Sequence, residues 1–218
     1  MYGDVNHVEG RIILVTTNEE ALKVNNEILN LSNEDFVEYQ SIDEAKTNGN
    51  NNSKYFPNEF LHSLTPNGFP PHSLKLKKGT LIMIIRNLDF GSGLINCNRL
   101  KVIDFKKDII KAKFISGQFK NKEILIPRIQ FVSNDIDLPF EFCRRQFLVR
   151  VCYCMTINKS QGLSFEHVGI DLKCEVFTHR QLYTAISRCK KFNNLKIHTD
   201  GFTNMIKNIV FNDVLLLI

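Results

Sequence analysis

The chain has 218 residues, 43% of them hydrophobic, and a formal net charge of +5 at pH 7. That length can bury a core and suits one or two domains. No apolar run reaches the roughly 18 residues of a membrane span, and the opening MYGDVNHVEG lacks the basic and apolar stretches of a signal peptide, so a soluble, intracellular protein without membrane partners is expected. The charge is uneven: residues 1–50 carry ten Asp/Glu against three Lys/Arg, net −7, which leaves +12 on the remainder. A basic remainder fits a polyanionic partner or an ordinary solvated face equally well. Six cysteines show no disulfide spacing. Cys152-x-Cys154 lacks the second ligand pair of a zinc site, so free buried thiols and no bound metal are expected.

Near the start, RIILVTT (11–17) reads as a buried strand and NEEALKVNNEIL as a helix with its inner face through Leu22, Asn25, Ile28 and Leu29. Thr17 followed by Glu20 is a capping box at the junction. A strand, a tight turn and a helix make the βα step from which parallel sheets are built. FVEYQS (36–41) is a candidate second strand, and the polar tract TNGNNNSK (47–54) is a candidate surface loop.

From Leu74 to Val132 the texture changes to short β-rich runs, GTLIMIIRN, RLKVIDF, IIKAKFIS and KEILIPRIQFV. Close spacing and turns between them predict a small antiparallel barrel or sandwich. The α/β pattern then resumes with QFLVRVCYCMTI as one strand, HVGIDL as a second, a helix over 178–190 and NLKIHT as a third. The expected organisation is an α/β domain with a parallel sheet, made of residues 1–73 and 133–218 and interrupted by a β insertion over 74–132.

The loop TINKSQG (156–162) follows the first of those later strands, at the end of a parallel strand where ligands usually bind. Thr156, Asn158, Ser160 and Gln161 can donate hydrogen bonds to phosphate or sugar oxygens, Lys159 adds positive charge, and Gly162 permits a turn or close approach. A loop satisfied by its own Asx and Ser turns has equal standing. In FTHRQLYTAISRCKK, Leu182, Ala185, Ile186 and Cys189 form an apolar stripe, and Gln181 and Arg188 lie on a neighbouring face. Thr178 and Gln181 also make a T-x-x-Q capping box, and an arginine near a helix C-terminus suits the macrodipole.

TINKSQG, HVGIDL and FTHRQLYTAISR, in that order, resemble the last motifs of the petite-integration-frequency family of DNA helicases, in the branch carried by Helitron rolling-circle transposons. RIILVTTNEEALKVNNEIL resembles the start of that family's second motor domain. FPNEFLHSLTPNGFPPHSLKLKKGTLIMIIRNLDFGSGLINCNRL is similar to its path into a small SH3-like insertion, and MIKNIVFNDVL to its C-terminal end. The resemblance implies a superfamily-one motor in which two RecA-like domains hydrolyse ATP with Mg2+ and step 5′ to 3′ along single-stranded DNA. Arg188 corresponds to the catalytic arginine that reaches the γ-phosphate, with Gln161, Gly162 and Gln181 at the nucleotide. Thr17, Asn18, Thr156, Asn158, Lys159 and Ser160 match positions facing the DNA backbone. Two residues depart from the family, where glycine is usual: Cys97 and Arg180.

A phosphate-cradling loop reads G-x-x-x-x-G-K-[ST], and none of the eleven glycines is followed by lysine. Asp43-Glu44 does not follow the unbroken apolar strand of a metal-binding acidic motif and reads as a surface pair. The expectation is the C-terminal motor half of such a helicase. It would be partnered by a first motor domain and single-stranded DNA, with no ATP or Mg2+ held by this half alone and no ATPase activity of its own. A non-enzymatic nucleic-acid-binding module and an inactive transposon remnant are the alternatives. Nuclear residence follows from the resemblance alone.

Overall fold

Strand β1 (Arg11–Val15) buries Ile12, Leu14 and Val15, and helix α1 (Asn18–Leu31) follows after two residues. The start of α1 is held as the capping box predicts: Thr17 Oγ1 accepts from Glu20 N at 3.3 Å. The Glu20 carboxylate, instead of returning to a backbone amide, accepts from the hydroxyls of Thr16 and Thr17, each at 3.2 Å. The buried face of α1 is Ala21, Asn25, Ile28 and Leu29. Leu22, expected on that face, is 63% exposed, because Ala21 takes the inward position against Val15 and Cys154.

The structure, a computed structural model, describes residues 8–46, 56–66, 68–133, 138, 140–174, 176–199, 206, 208 and 209. The tract TNGNNNSK and most of MIKNIVFNDVL lie outside the described residues. The chain divides into two units: Met1–Asn33 with Cys152–Ile218, and Glu34–Val151.

The unit Glu34–Val151 contains β2 (Val37–Gln40), β3 (Ile42–Lys46), a short helix α2 (Asn58–Ser63), β4 (Ser73–Leu76) and β5 (Leu81–Ile84). It continues through β6 (Arg99–Phe105), β7 (Ile109–Phe114), β8 (Glu123–Pro127), β9 (Ile129–Ser133), β10 (Glu141–Gln146) and β11 (Val149–Val151). All its pairings are antiparallel: a five-stranded sheet β11-β5-β6-β7-β8, a three-stranded sheet β3-β10-β9 and the pair β2-β4. Strand β7 alternates half-buried and buried residues along its length, the period of a sheet with one face on a core. That core joins Ile82, Ile84, Leu100, Val102, Ile110, Ala112, Phe114 and Ile126 of the large sheet to Tyr39, Leu74 and Leu76 of the β2-β4 pair. FVEYQS is a strand, as expected, but its partner is β4, in register from Val37↔Leu76 to Gln40↔Ser73. The unit therefore extends beyond 74–132 on both sides, because β2 and β4 complete its core and β11 its largest sheet.

The run QFLVRVCYCMTI is not one strand. Gln146 ends β10, Val149–Val151 pairs with β5, and β12 (Cys154–Thr156) pairs with β1 in parallel. A run so rich in apolar residues carries no signal for a change of sheet. After β12 come the 3-10 turn Ile157–Ser160, β13 (His167–Asp171), α3 (Gln181–Ile186) and β14 (Leu195–His198). The sheet order is β12-β1-β13-β14, parallel throughout, so the expected α/β parallel sheet is present. Helix α3 is shorter than the expected 178–190, because it starts after Arg180 in the left-handed region (φ 57) and is capped at Ser187. No helix among the described residues is long and apolar enough to cross a membrane.

All six cysteines are free thiols. Only Cys143, Cys152 and Cys154 are buried; Cys174 is exposed and Cys97 and Cys189 are half-buried, so the expectation of buried thiols holds for three. Burial pushes the Cys154 thiol well above its ordinary range, which makes it an inert core group.

Candidate nucleic-acid interface

Thr156 closes β12 and is buried, and the turn that follows divides its polar side chains between two tasks. Ser160 is 0% exposed and its hydroxyl donates to Ile157 O at 2.6 Å, while backbone bonds from Gln161 N to Asn158 O and from Leu163 N to Ser160 O close the turn. Asn158, Lys159 and Gln161 stand exposed. The self-satisfied turn and the outward-facing loop are thus both present, on different residues. Gly162 has φ +79 and open space where a Cβ would stand, so glycine serves the backbone conformation and not a close approach.

The sheet brings the two expected DNA-facing segments together. Val15 at the end of β1 lies in register with Thr156 at the end of β12, so the start of α1 and the TINKSQG loop emerge from adjacent parallel strands. Lys159 Nζ donates to Asn18 Oδ1 at 3.4 Å across that gap. Thr17 is half-buried and its hydroxyl is engaged with Glu20, so Asn18, Asn158 and Lys159 offer the accessible polar atoms.

Arg188 lies beyond the end of α3 and folds back over the same loop. Its Nε donates to Thr184 O at 3.0 Å and Nη1 to Leu163 O at 3.0 Å and Ser160 O at 3.4 Å, while Nη2 donates to Ser187 Oγ at 2.9 Å. All four acceptors are neutral, so among the described residues no carboxylate offsets the positive charge. Gln181 does not share that surface. It is 2% exposed, and its Oε1 accepts from Phe177 N at 2.9 Å and Thr178 N at 3.3 Å, the returning half of the capping box. Its Nε2 is buried without a hydrogen-bond partner among the described residues.

One polar residue of this unit was folded into the apolar stripe of α1 by periodicity. Asn25 Oδ1 accepts from Tyr153 N at 2.8 Å and Cys154 N at 2.9 Å, and Nδ2 donates to Cys154 O at 2.9 Å. The signal available in the sequence was an amide at an inward helical position, which burial tolerates only with partners.

In the unit Glu34–Val151, Asp43 corrects the expectation of a surface acidic pair. Its side chain is 0% exposed and makes a bidentate ion pair with Arg144, Nε to Oδ1 at 2.8 Å and Nη2 to Oδ2 at 2.7 Å. Arg144, equally buried, spends its other donors on Pro70 O and Leu61 O. Ser41 Oγ donates to Asp43 Oδ1 at 2.7 Å, so its lone proton is used and His72 Nδ1, 2.8 Å away, is the donor to that hydroxyl. Burial first, and the neighbouring His62 second, hold the His72 imidazole below its ordinary pKa of 6.5. Asp43, His62 and His72 have ligand atoms within 4.8 Å of one another, but the His62 and His72 rings are stacked at 3.7 Å and 15°. In-plane lone pairs of near-parallel rings do not converge on one ion, and Arg144 already neutralises the carboxylate.

Comparison with known proteins follows these two regions. The profile of the DNA helicase Pif1 2B domain matches residues 59–105, and that of the UvrD-like helicase C-terminal domain matches residues 151–192. An ATP-dependent DNA helicase PIF1 from Xenopus laevis is 32% identical over 128 residues, 57% of this chain and 19% of the relative. The human enzyme of that name is 28% identical over 127 residues, again 19% of its length, so the chain matches about a fifth of these curated relatives. The crystal structure of Pif1 helicase from Candida albicans superposes with a TM-score of 0.75 at 24% identity, covering 98% of this chain and 50% of that one. Pif1 helicase from Bacteroides in complex with ADP-AlF3 and ssDNA gives 0.69 at 21% identity, over 95% and 44%. Over these two stretches the sequence is similar to a Pif1 2B domain and to a UvrD-like helicase C-terminal domain, and the fold is similar to that of solved Pif1 helicases.

Proposed function

We propose that the chain supplies the second motor domain of an ATP-dependent, 5′-to-3′ DNA helicase of the Helitron-encoded branch. It would act on single-stranded DNA together with a first motor domain, in the nucleus. In this reading the parallel sheet β12-β1-β13-β14 belongs to the discontinuous RecA-like domain, and the SH3-like insertion lies within Glu34–Val151, a wider span than the expected 74–132. Arg188 is the arginine finger, with Gln161 and Gly162 beside the nucleotide, and Asn18, Asn158 and Lys159 border the DNA backbone; Thr17, Thr156, Ser160 and Gln181, engaged or buried, shape the segments that carry them and do not touch the ligands. The observation that carries the reading is the bonding of Arg188: a guanidinium with only neutral acceptors, docked on Ser160 O and Leu163 O of the loop that presents Lys159. A charge so held can turn to a phosphate, and doing so releases the loop, which is what coupling of nucleotide state to a DNA grip requires.

The residues present fit one contact to a nucleotide and not its cradle. No glycine precedes a lysine, and the buried Asp43 is bound to Arg144 and unavailable to magnesium. ATP and Mg2+ supply the driving reaction in the complete motor, whose phosphate cradle another domain provides. The purified 218-residue chain is expected to bind labelled single-stranded DNA with an affinity that falls steeply with salt and to release no phosphate from ATP. Absence of binding at low ionic strength, or ATP turnover that Arg188→Ala abolishes, would overturn this reading.

A further inference from the structure

We infer that Asn25 is a positioning residue that locks the two expected DNA-facing segments into one rigid body; the inference rests on the helicase reading above for what those segments hold. Among the described residues strand β12 is the edge of its sheet, with β1 on one side only. Toward β1, Ile13 N donates to Tyr153 O at 3.0 Å. In a parallel ladder alternate residues face the partner, so the N–H and C=O of Cys154 point to the open side, where an unpaired edge would leave them. Asn25 satisfies both, accepting from Cys154 N and donating to Cys154 O, each at 2.9 Å, and accepts from Tyr153 N as well. Its side-chain amide therefore stands in for one residue of an absent neighbouring strand, and at 6% exposed it does so out of water.

The position of this clamp gives it a role beyond satisfying an edge. Cys154 is two residues before Thr156, where the TINKSQG loop begins, and Asn25 is two turns along α1 from Thr17 and Asn18. Three short bonds from α1, two to Cys154 of β12 and one to Tyr153 just before it, thus fix the start of the helix relative to the loop, while the link from Lys159 to Asn18 at 3.4 Å is exposed. The exposed bond cannot hold the register alone, since such contacts exchange readily with water. A phosphate strand spanning Asn18, Asn158 and Lys159 needs that register before it arrives, so Asn25 acts on DNA without touching it.

The test is a double-mutant cycle on the 218-residue chain, reading the affinity for a labelled single strand and its salt slope. Asn25→Leu keeps the number and branching of the side-chain heavy atoms and removes all three bonds. It should weaken binding about tenfold and lower the salt slope by more than the roughly 0.7 that one phosphate contact contributes. Adding Lys159→Ala to Asn25→Leu should cost less than Lys159→Ala costs alone, because the lysine is already out of register. Asn25→Asp, which retains the acceptor for the two amides, should recover part of the affinity and replaces Asn25→Leu in the cycle if the leucine variant does not fold. Unchanged affinity and slope, or effects of the two sites that multiply independently, would overturn the inference. If the unsubstituted chain binds no DNA, the helicase reading fails while this one is still decided by amide exchange. Faster exchange confined to residues 154–162 and the first turn of α1 supports the clamp, and unchanged exchange there refutes it.

Discussion

Two arginines, one in each unit, bind backbone carbonyls and differ in what else they touch. Arg144 gives four bonds, two to the Asp43 carboxylate and two to carbonyls, with both side chains sealed from solvent. Arg188 gives its bonds to neutral oxygens alone and remains partly open. The first charge is cancelled where it sits, and the β unit uses it to join β3, β10, α2 and the segment before β4. The second has no carboxylate partner among the described residues, which in the proposed reading is the state a phosphate-binding group needs before its ligand arrives. The pairing of a carboxylate with the guanidinium, not the residue type or the degree of ordering, separates the two arginines.

Breaking the comparison at its structural end should have the largest effect. Arg144→Ala leaves the Asp43 carboxylate buried without its partner and should cost about 3–5 kcal/mol, seen as a loss of unfolding free energy in urea. Replacing both members, Asp43→Leu with Arg144→Met, removes the stranded charge and should recover most of that loss, because a buried pair exchanged for apolar residues is often close to neutral. Arg188→Ala removes only partly solvated bonds to neutral groups and should cost about 1 kcal/mol, with the change concentrated in faster amide exchange over residues 157–165. A loss at Arg188 as large as that at Arg144 would erase the distinction.

The uneven legibility of these features in the sequence has physical causes. The step from β1 to α1 was readable because strand, capping threonine and helix are local, and Thr17 and Glu20 meet within one turn. The outward residues of TINKSQG and the returning glutamine of α3 were likewise local patterns. Asp43 was misread because the partner that buries it lies 101 residues away, and Asn25 was absorbed into an apolar stripe because periodicity records which positions face inward, not what they meet there. The run from Gln146 to Ile157 looked like one strand because hydrophobicity does not encode a change of sheet, and the chain passes between units within it. Resemblance to a family covered the order of motifs, while the edge clamp and the arginine's acceptors emerged only from the pairing of strands.

The buried charge network also predicts a response to acid. His72 is held below the 6.5 of a free imidazole by burial and by the stacked His62, against the opposing pull of Asp43 and with Arg144 adding to the depression. The unfolded chain therefore takes up this proton first, and the associated stability is present above pH 6.5 and declines as pH falls through that value toward the lowered native one. Urea midpoints measured from pH 7.5 down to 5 should fall, and His72→Gln should flatten that part of the profile. An equal slope in the variant would exclude His72 as its source.

The smallest expected effect concerns the two positions where this chain departs from the glycines usual in the family it resembles. Arg180 at the start of α3 has φ 57 and Cys97 has φ 69, and Cys97 is the third residue of a turn closed by Asn98 N to Ile95 O at 3.1 Å. Both backbones thus keep the left-handed geometry for which glycine is suited, although the side chain has changed. A left-handed residue with a Cβ costs about 1–2 kcal/mol, and glycine returns roughly 0.5–1 kcal/mol of that through the added freedom of the unfolded chain. Arg180→Gly and Cys97→Gly should therefore each raise stability by about 0.5–1 kcal/mol, and the two gains should add, since the sites belong to different units. The Arg180 substitution bears on the opening comparison too. α3 carries Thr184, the acceptor of Arg188 Nε, so relieving strain at its first turn should slow amide exchange through residues 181–188 while leaving the Asp43–Arg144 region unchanged.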